Sequence, residues 1–385
     1  MDKNICCGRG ENVLFSDFMD LINISFSCTS PESDLRNLLP KLYREQFCPQ
    51  KKNYVITEDG DPVAAVGAYD HEIRVCGRTL ACRGIGNVGV HPNYRSKGYM
   101  KLAMNSAMRD MIKDGVVLST LGGRRQRYQY FGYDTTGPVY RFSISRENIH
   151  HVFGDCSAPF TLREITDPHD KAIDLIIELN EKSPITPIRP KNEYLYIANS
   201  WHAKLISVEN CGRFVGYLIL NKNNVTEIEV VNDLDFLPLI RSLYAFIGEN
   251  YSVTLFPHQI GYRRALTPFA ENMSIGSAMQ FNILNYRAVT EAFLALKLAY
   301  DKLPDGEIVL LIHGYASDER IRIAVKDGEG FVEEVDENTP ENYELSHAEA
   351  LSFLFSPISP LREEASDIAR LYFPLPLSMR RADEV

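Results

Sequence analysis

Residues 88–100 combine an apolar strand end, a proline and an Arg-x-x-Gly turn that runs directly into a helical pattern. A glycine turn at the start of a helix directs unpaired backbone N–H groups at an anion. Gly98 lets a ligand approach the backbone closely, because glycine has no Cβ. Phosphate or pyrophosphate fits such a turn best. The competing interpretation is an ordinary strand-to-helix connection, in which the turn only caps the helix.

A second segment, residues 116–133, has the pattern of a buried strand, a Gly-Gly turn and a short helix. The helix carries Tyr128 and ends at Phe131-Gly132-Tyr133. A tyrosine has an ordinary pKa of about 10, so at neutral pH it holds a proton that it can donate. The competing interpretation is a half-buried structural tyrosine. Neither of the common nucleotide motifs is present in its usual place. There is no G-x-x-x-x-G-K-[ST], and the G-x-G-x-x-G string at residues 84–89 lies within a predicted strand and does not follow one.

Together the two segments resemble the GCN5-related N-acetyltransferases (GNAT). The first matches V-x-V-x-P-x-x-[QR]-x-x-G-x-[GA] except at its last position, where Met100 stands, and the second matches Y-x-x-x-G-[FY]. The resemblance implies that acetyl-CoA is the co-substrate and that Tyr128 protonates its departing thiolate. It also implies a set of cofactor-binding residues along the strand and the turn: Val88, Gly89, Val90, Arg95, Ser96, Lys97, Gly98, Tyr99, Met100 and Lys101.

Composition places the chain among globular proteins of two or three domains. It has 385 residues, of which 45% are hydrophobic and 24% charged. No run approaches the roughly 20 apolar residues of a membrane span, and the first residues show no apolar signal-peptide core. The eight cysteines include no C-x-x-C pair. We therefore expect a cytoplasmic protein with reduced thiols and without a metal site.

The charge is distributed unevenly. From residue 281 onward there are 20 acidic and 10 basic side chains, so the remaining 31 of each sign cancel in residues 1–280. A nucleic-acid binder would show a basic face, and that class is disfavoured. Acidic surface near an active site would favour cationic amines, although the charge is equally explained by solubility.

The periodicity predicts an α/β (α+β) chain of three domains. One helix is predicted over 11–27, and a second over about 33–47 with a break at Pro40. Together with the predicted strands and the two motif segments, these helices form a mixed domain at 1–157. Residues 158–278 repeat the same order without an Arg-x-x-Gly turn and are interpreted as a degenerate GNAT-like domain. Residues 279–385 contain helices and strands but no catalytic motif.

This three-part order resembles the enhanced-intracellular-survival (Eis) branch of the acetyltransferases. The resemblance implies that residues 279–385 form a sterol-carrier-like (SCP2-like) domain and that the protein is a homo-oligomer, often a hexamer in that branch. It also implies that the C-terminal carboxylate, here that of Val385, is the base. His71 and Glu72 remain alternative bases, on a hairpin where both are expected to be solvated turn residues.

The expected activity is therefore acetyl transfer to a primary amine, such as a small polyamine or an aminoglycoside-like compound. Two other functions stay open. The protein could be a sensor that binds acetyl-CoA, or a ligand through its C-terminal domain, without turnover. It could also acetylate a protein lysine. His91 is expected to flank the cofactor, and three arginines either reach the CoA phosphates or form a solvated cluster: Arg124, Arg125 and Arg127.

Overall fold

The computed structural model describes residues 4–27, 34–154 and 158–385. The first region contains six strands and five α-helices in chain order: β1 (Ile5–Arg9), α1 (Phe15–Phe26), α2 (Leu35–Leu38), β2 (Asn53–Glu58), β3 (Asp61–Val75), β4 (Arg78–Val90), α3 (Tyr99–Lys113), β5 (Leu118–Leu121), α4 (Arg125–Tyr128), β6 (Asp134–Ile144) and α5 (Arg146–Phe153).

The middle region contains seven strands and four α-helices: β7 (Thr161–Glu164), α6 (Ala172–Glu181), β8 (Ile185–Pro187), α7 (Tyr194–Ala198), β9 (Ala203–Asn210), β10 (Arg213–Asn221), β11 (Asn224–Val230), α8 (Phe236–Ile247), β12 (Tyr251–Leu255), α9 (Ile260–Leu266) and β13 (Asn272–Ile283). The C-terminal region contains α10 (Tyr286–Leu298), β14 (Gly306–His313), β15 (Asp318–Lys326), β16 (Glu329–Glu334), β17 (Tyr343–Ser346), α11 (His347–Phe355), α12 (Pro360–Glu363) and α13 (Asp367–Tyr372). The predicted mixed α/β class is confirmed.

One 13-stranded sheet joins the first two regions, in the order β1-β2-β3-β4-β5-β13-β6-β12-β11-β10-β9-β7, with β8 added on β3. The two regions exchange strands at its centre. β13 belongs to the middle region but pairs with β5 of the first, whereas β6 belongs to the first region but pairs with β12 of the middle one. β13 and β6 also pair with each other over residues 272–281. Each region therefore completes its half of the sheet with a strand from the other.

The C-terminal region has its own four-stranded sheet, β16-β15-β14-β17. Its helix α10 packs through Val289 and Phe293 onto the core shared with β3, β4 and β13, so the region is not separated by a linker. The domain bounds 1–157, 158–278 and 279–385 stay predictions, and β13 runs across the last of them. The predicted helix over 33–47 is wrong beyond its first turn: α2 ends at Leu38, and Leu39 leaves helical geometry before Pro40.

The last ten residues run back from the C-terminal region between the other two. Leu377 contributes to the C-terminal core, whereas Ala382, five residues later, packs in the core of the middle region. Arg380 lies between them, buried, and donates to Asn180, Tyr217 and Glu227 of the middle region. The tail is therefore anchored in the interior.

Four buried ionic groups fix this tail. Glu227 accepts from Arg189 at 2.8 Å and from Arg380 at 2.7 Å, and Arg189 also pairs with Asp383 at 2.8 Å. Burial alone would raise the pKa of Glu227, but the two guanidinium groups outweigh it and lower this pKa to about 2. Each charge in the cluster is thus compensated only while its partners are present.

We expect Arg380→Leu to destabilise the protein by about 3–5 kcal/mol, because it leaves the Glu227 carboxylate buried with one cationic partner fewer. Urea unfolding followed by circular dichroism measures the change. The control is Arg370→Leu, which removes an exposed pair with Asp367 and should cost no more than about 1 kcal/mol. Equal losses in the two variants would contradict the assigned role of the cluster.

Candidate active site

β4 is interrupted by a bulge just before the first motif. Gly67 of β3 pairs with Gly86, and Ala65 pairs with Gly89, so β4 has one residue more than β3 over this stretch. Asn87, at the bulge, has a left-handed backbone with φ 57°. A bulge bends its strand and leaves backbone groups unpaired.

β4 and β5 separate at the same place. They pair in parallel only over Cys82–Ile85 and Leu118–Leu121, after which β5 ends and β4 continues for five residues. Among the described residues, no partner from β5 faces the backbone of β4 beyond Ile85. The gap between these strands is therefore open to a ligand, lined on one side by main-chain N–H and C=O groups.

Buried amides and phenols hold the bulge. The side chain of Asn87 accepts from Tyr43 at 3.1 Å and donates to Asn53 at 2.9 Å, and Asn53 donates to Tyr69 at 3.1 Å. Burial raises the pKa of both tyrosines, so they remain protonated. This network fixes the left-handed residue, a strained conformation for a residue with a side chain.

A cavity of about 480 Å³ follows the motif and is called the motif cavity below. Eight of the ten predicted cofactor-binding residues line it: Val88, Gly89, Val90, Arg95, Ser96, Gly98, Tyr99 and Met100. The other two, Lys97 and Lys101, do not. Lys97 pairs with Glu58 at 3.1 Å, and Lys101 lies 4.5 Å from the centre of the Tyr130 ring.

The turn end of this cavity suits a phosphate-bearing ligand. Gly98 has φ 80° and precedes α3, whose first N–H groups have no partner within the helix. Arg95 and Arg127 supply two cations in the lining, and the other wall comes from α1 through Ser25 and Phe26. The positive helix terminus and the guanidinium groups together match the charge of a pyrophosphate.

Of the three clustered arginines, only Arg127 lines this cavity. Arg125 pairs with Asp134, and Arg124 is exposed. His91 lies just before the turn, where its Nδ1 accepts from the backbone of Asn93.

Tyr128 lies at the end of α4, beside the gap between β4 and β5. Its side chain is 5% exposed and shares a hydrophobic cluster with Ile85 and Leu121, the last paired residues of the two strands. The Tyr128 ring packs closely against Gly123, since a Cβ added to that glycine would lie 2.8 Å from the ring. Burial raises the pKa of Tyr128, and the neighbouring Arg127 opposes part of that shift. The phenol therefore keeps its proton at neutral pH.

A second cavity, of about 490 Å³, contains the chain end and is called the tail cavity below. Its lining includes Val385 and many charged side chains: Lys41, Lys52, Asp70, Glu72, Arg83, Asp114, Arg189, Glu193 and Asp383. Val385 lies directly on β4, because two glycines leave space for it. A Cβ at Gly84 would come within 2.5 Å of the Val385 side chain, and one at Gly86 within 2.8 Å of its carboxyl carbon. The carboxyl group thus lies next to the bulge.

Two side chains far away in sequence, Lys41 and Trp201, hold this end in place through three hydrogen bonds. Lys41 donates to the carbonyls of Ala382 and Glu384, and Trp201 donates to the same Glu384 carbonyl at 3.2 Å. Burial lowers the pKa of Lys41 to about 7, although Asp383 opposes the shift. The roles of Lys41 and Trp201 could not be predicted from the sequence, since neither residue belongs to a motif and both donate to backbone carbonyls.

The expectation that His71 and Glu72 are both solvated turn residues is wrong for His71. β3 continues through Val75, and His71 pairs within it with Cys82 of β4. The imidazole Nε2 is buried, whereas Glu72 is exposed. Both residues line the tail cavity.

Within the described ranges, no group of three or more His, Cys, Asp or Glu residues is arranged to hold a metal ion. In the same ranges, no helix is long and apolar enough to cross a membrane.

Comparisons with known proteins agree with this geometry. The profile of the family described as acetyltransferase (GNAT) domain matches residues 11–136, which contain both motifs. The chain therefore carries a GNAT acetyltransferase domain and is an enzyme of the acyltransferase class. GNAT domains use acetyl-CoA. No curated protein matches the sequence.

Solved structures share the fold over the full chain. A GCN5-related N-acetyltransferase from Kribbella flavida has a TM-score of 0.68 at 16% identity, covering 100% of this chain and 99% of that one. A GCN5-related N-acetyltransferase from Anabaena variabilis has a TM-score of 0.66 at 13% identity, covering 98% of each chain. Eis1 from Mycobacterium abscessus has a TM-score of 0.59 at 11% identity, covering 100% of each.

We expect Arg127→Ala to weaken acetyl-CoA binding roughly tenfold, because a charge-assisted hydrogen bond to a phosphate contributes about 1.5–3 kcal/mol. Isothermal titration calorimetry with acetyl-CoA measures the dissociation constant. Arg124→Ala is the matched control, since its side chain lies outside the lining, and it should bind as the native protein does. Similar weakening by both changes would indicate a diffuse charge effect instead.

Proposed function

We propose that the protein transfers the acetyl group of acetyl-CoA to a primary amine, in the class of small polyamines or aminoglycoside-like compounds. The observation that carries the proposal is the Val385 carboxyl group against Gly86, beside the bulge at which β4 leaves β5. The motif cavity would hold the CoA part of the donor along Val88–Val90. The tail cavity would hold the amine.

In the proposed reaction the amine nitrogen attacks the thioester carbonyl carbon. A nitrogen–carbon bond forms, the carbon–sulfur bond breaks, and an amide and a CoA thiol result. An alkylammonium has a pKa of about 10 and no lone pair, so the nitrogen must lose one proton before it attacks and a second one as the amide forms. The Val385 carboxylate receives the first proton, since it lies on the amine side of β4, and passes it to solvent. The second proton restores the Tyr128 phenol after that residue has protonated the thiolate.

The leaving thiolate takes its proton from Tyr128. A thiol has a pKa of about 8.5, well below that of a buried phenol, but a proton shared in the transition state lowers the cost of breaking the carbon–sulfur bond. Main-chain N–H groups of β4 beyond Ile85 face the gap and would stabilise the negative charge that develops on the carbonyl oxygen.

We also propose an Eis-like organisation for the rest of the chain. Eis1 shares the fold over the whole length, which supports a sterol-carrier-like assignment for residues 279–385. Homo-oligomeric assembly and a cytoplasmic location belong to the same proposal. Gel filtration with light scattering tests the assembly.

We expect Tyr128→Phe to reduce kcat by about 10²–10⁴, the usual contribution of general acid catalysis, with little change in acetyl-CoA affinity. Release of free thiol from acetyl-CoA, measured across polyamines, aminoglycosides and lysine peptides, is the assay. Tyr130→Phe is the control, because Tyr130 is 64% exposed. If acetyl-CoA bound but no amine released thiol from the native protein, the sensor function would replace the enzymatic one.

The role of the terminal carboxylate is tested by moving it. Adding one glycine after Val385 should reduce kcat by about 10²-fold or more, because the carboxylate is then displaced from the bulge. Val385→Ala keeps the carboxylate in place and should retain most of the activity. Comparable rates for the native and extended proteins would exclude this carboxylate as the base.

A further inference from the structure

His71 has a defined tautomer. Its Nδ1 lies 3.4 Å from the backbone carbonyl of Tyr69, and a carbonyl oxygen can only accept a hydrogen bond. Nδ1 therefore carries the ring proton, and Nε2 presents a lone pair. Burial lowers the pKa of His71, which keeps the ring neutral.

The Nε2 atom is buried, and in the described part of the chain it has no hydrogen-bond partner. A buried acceptor without a donor destabilises a protein by about 1–3 kcal/mol. A ligand that donates an N–H hydrogen bond to this nitrogen would remove that cost and bind more tightly. His71 lines the tail cavity together with Val385. The unsatisfied lone pair and the terminal carboxyl group thus belong to one cavity.

The separation of these two groups follows from the strand register. His71 is opposite Cys82, while the Val385 carboxyl lies at Gly86, on the same face of β4. Four residues of strand at about 3.3 Å each give roughly 13 Å, and the imidazole leans toward the carbonyl of Tyr69, the partner of Gly84, which shortens the separation to roughly 10 Å. His71 is consequently too far away to contact the nitrogen that is attacked beside Val385.

The remaining charges of the cavity favour a second cationic nitrogen. Among the described residues, the carboxylates of Glu72 and Glu193 have no basic partner, and both line the cavity. Three cations of the lining are engaged: Lys41 donates to the tail carbonyls, Arg83 pairs with Asp70, and Arg189 pairs with Asp383. Against the two glutamates stands Lys52, which is exposed and has no carboxylate partner among the described residues. An elongated ligand with an amino group at each end could bind both ends of the tail cavity, one amino group at the Val385 carboxyl group and the other at His71 Nε2.

We propose that His71 is an acceptor-binding residue that selects linear di- or polyamines by length. This inference rests on the proposed function, and it specifies the substrate class of the same site. The attacked nitrogen lies beside Val385, and a second nitrogen donates a hydrogen bond to His71 Nε2. An extended chain advances roughly 1.2 Å per bond, so the two ends are bridged by about eight to ten methylene groups or an equivalent polyamine.

The test is calorimetric binding of terminal diamines from diaminobutane to diaminodecane to the CoA-loaded native protein, with octylamine as the monoamine that has the same carbon chain as diaminooctane. We expect affinity to rise with length, and diaminooctane to bind roughly tenfold more tightly than either diaminobutane or octylamine. In His71→Phe this preference should disappear. His71→Gln, whose amide oxygen can accept, should restore part of it.

His258→Phe is the matched control. Both ring nitrogens of His258 are also buried without a partner in the described residues, but its ring stacks near Phe256 in the middle region, outside the tail cavity. This variant should keep the native length preference. Diamine binding that is absent, independent of length, or unchanged in His71→Phe would overturn the inference.

Thiol release from acetyl-CoA with the same amines separates the two proposals. Length-dependent binding that needs His71, without thiol release, would support the inference and contradict the proposed function. Thiol release with no length preference would support the proposed function and contradict the inference.

Discussion

The buried ion cluster of Arg189, Glu227, Arg380 and Asp383 is the constraint on which the site depends. Without it, the charges of Arg380 and Asp383 would be buried without compensation. Removing one partner leaves another charge buried without compensation, so the cluster opposes any movement that withdraws Arg380 or Asp383 from the interior. That arrangement ends with a carboxyl group beside the bulge of β4. Stability of the middle region and geometry of the proposed base are therefore linked through the same side chains.

The exchange of β6 and β13 gives this arrangement a rigid frame. Because each region completes the sheet of the other, the middle region cannot shift relative to the motif strand without breaking strand pairing. The middle region has its own point of strand separation: β11 and β12 pair only at Asn224 and Val225. Arg380 lies next to β11 there, 3.7 Å from Glu229. A region without a cofactor motif thus serves to hold the tail.

The two cavities lie along one strand and have different chemistry. The motif cavity has a helix N-terminus and arginines, which suit the phosphates of a cofactor. The tail cavity has a carboxyl terminus, a neutral histidine and two glutamates without a basic partner in the part of the chain that the structure describes, and these groups suit an amine. β4 carries both because its glycines at 84, 86 and 89 leave room for the tail on one stretch and for α1 on the other. In the proposed reaction, this single bulged strand would bring the thioester and the amine together.

The sequence alone determined what depends on local pattern: the strand–turn–helix of residues 88–100, the helix bearing Tyr128 and the α/β class. These signals are local because a glycine turn and a helical period need only neighbouring residues. Tertiary structure decided the rest. Lys41, Trp201 and His71 have no motif, and their roles come from backbone carbonyls and lone pairs that meet only after the chain folds. The exchange of β6 and β13 could not be predicted from the sequence either, because alternating apolar residues specify a strand but not its pairing partner. The position of Val385 depends on contacts between residues more than 150 apart, such as Arg380 with Glu227, and no local pattern encodes such contacts.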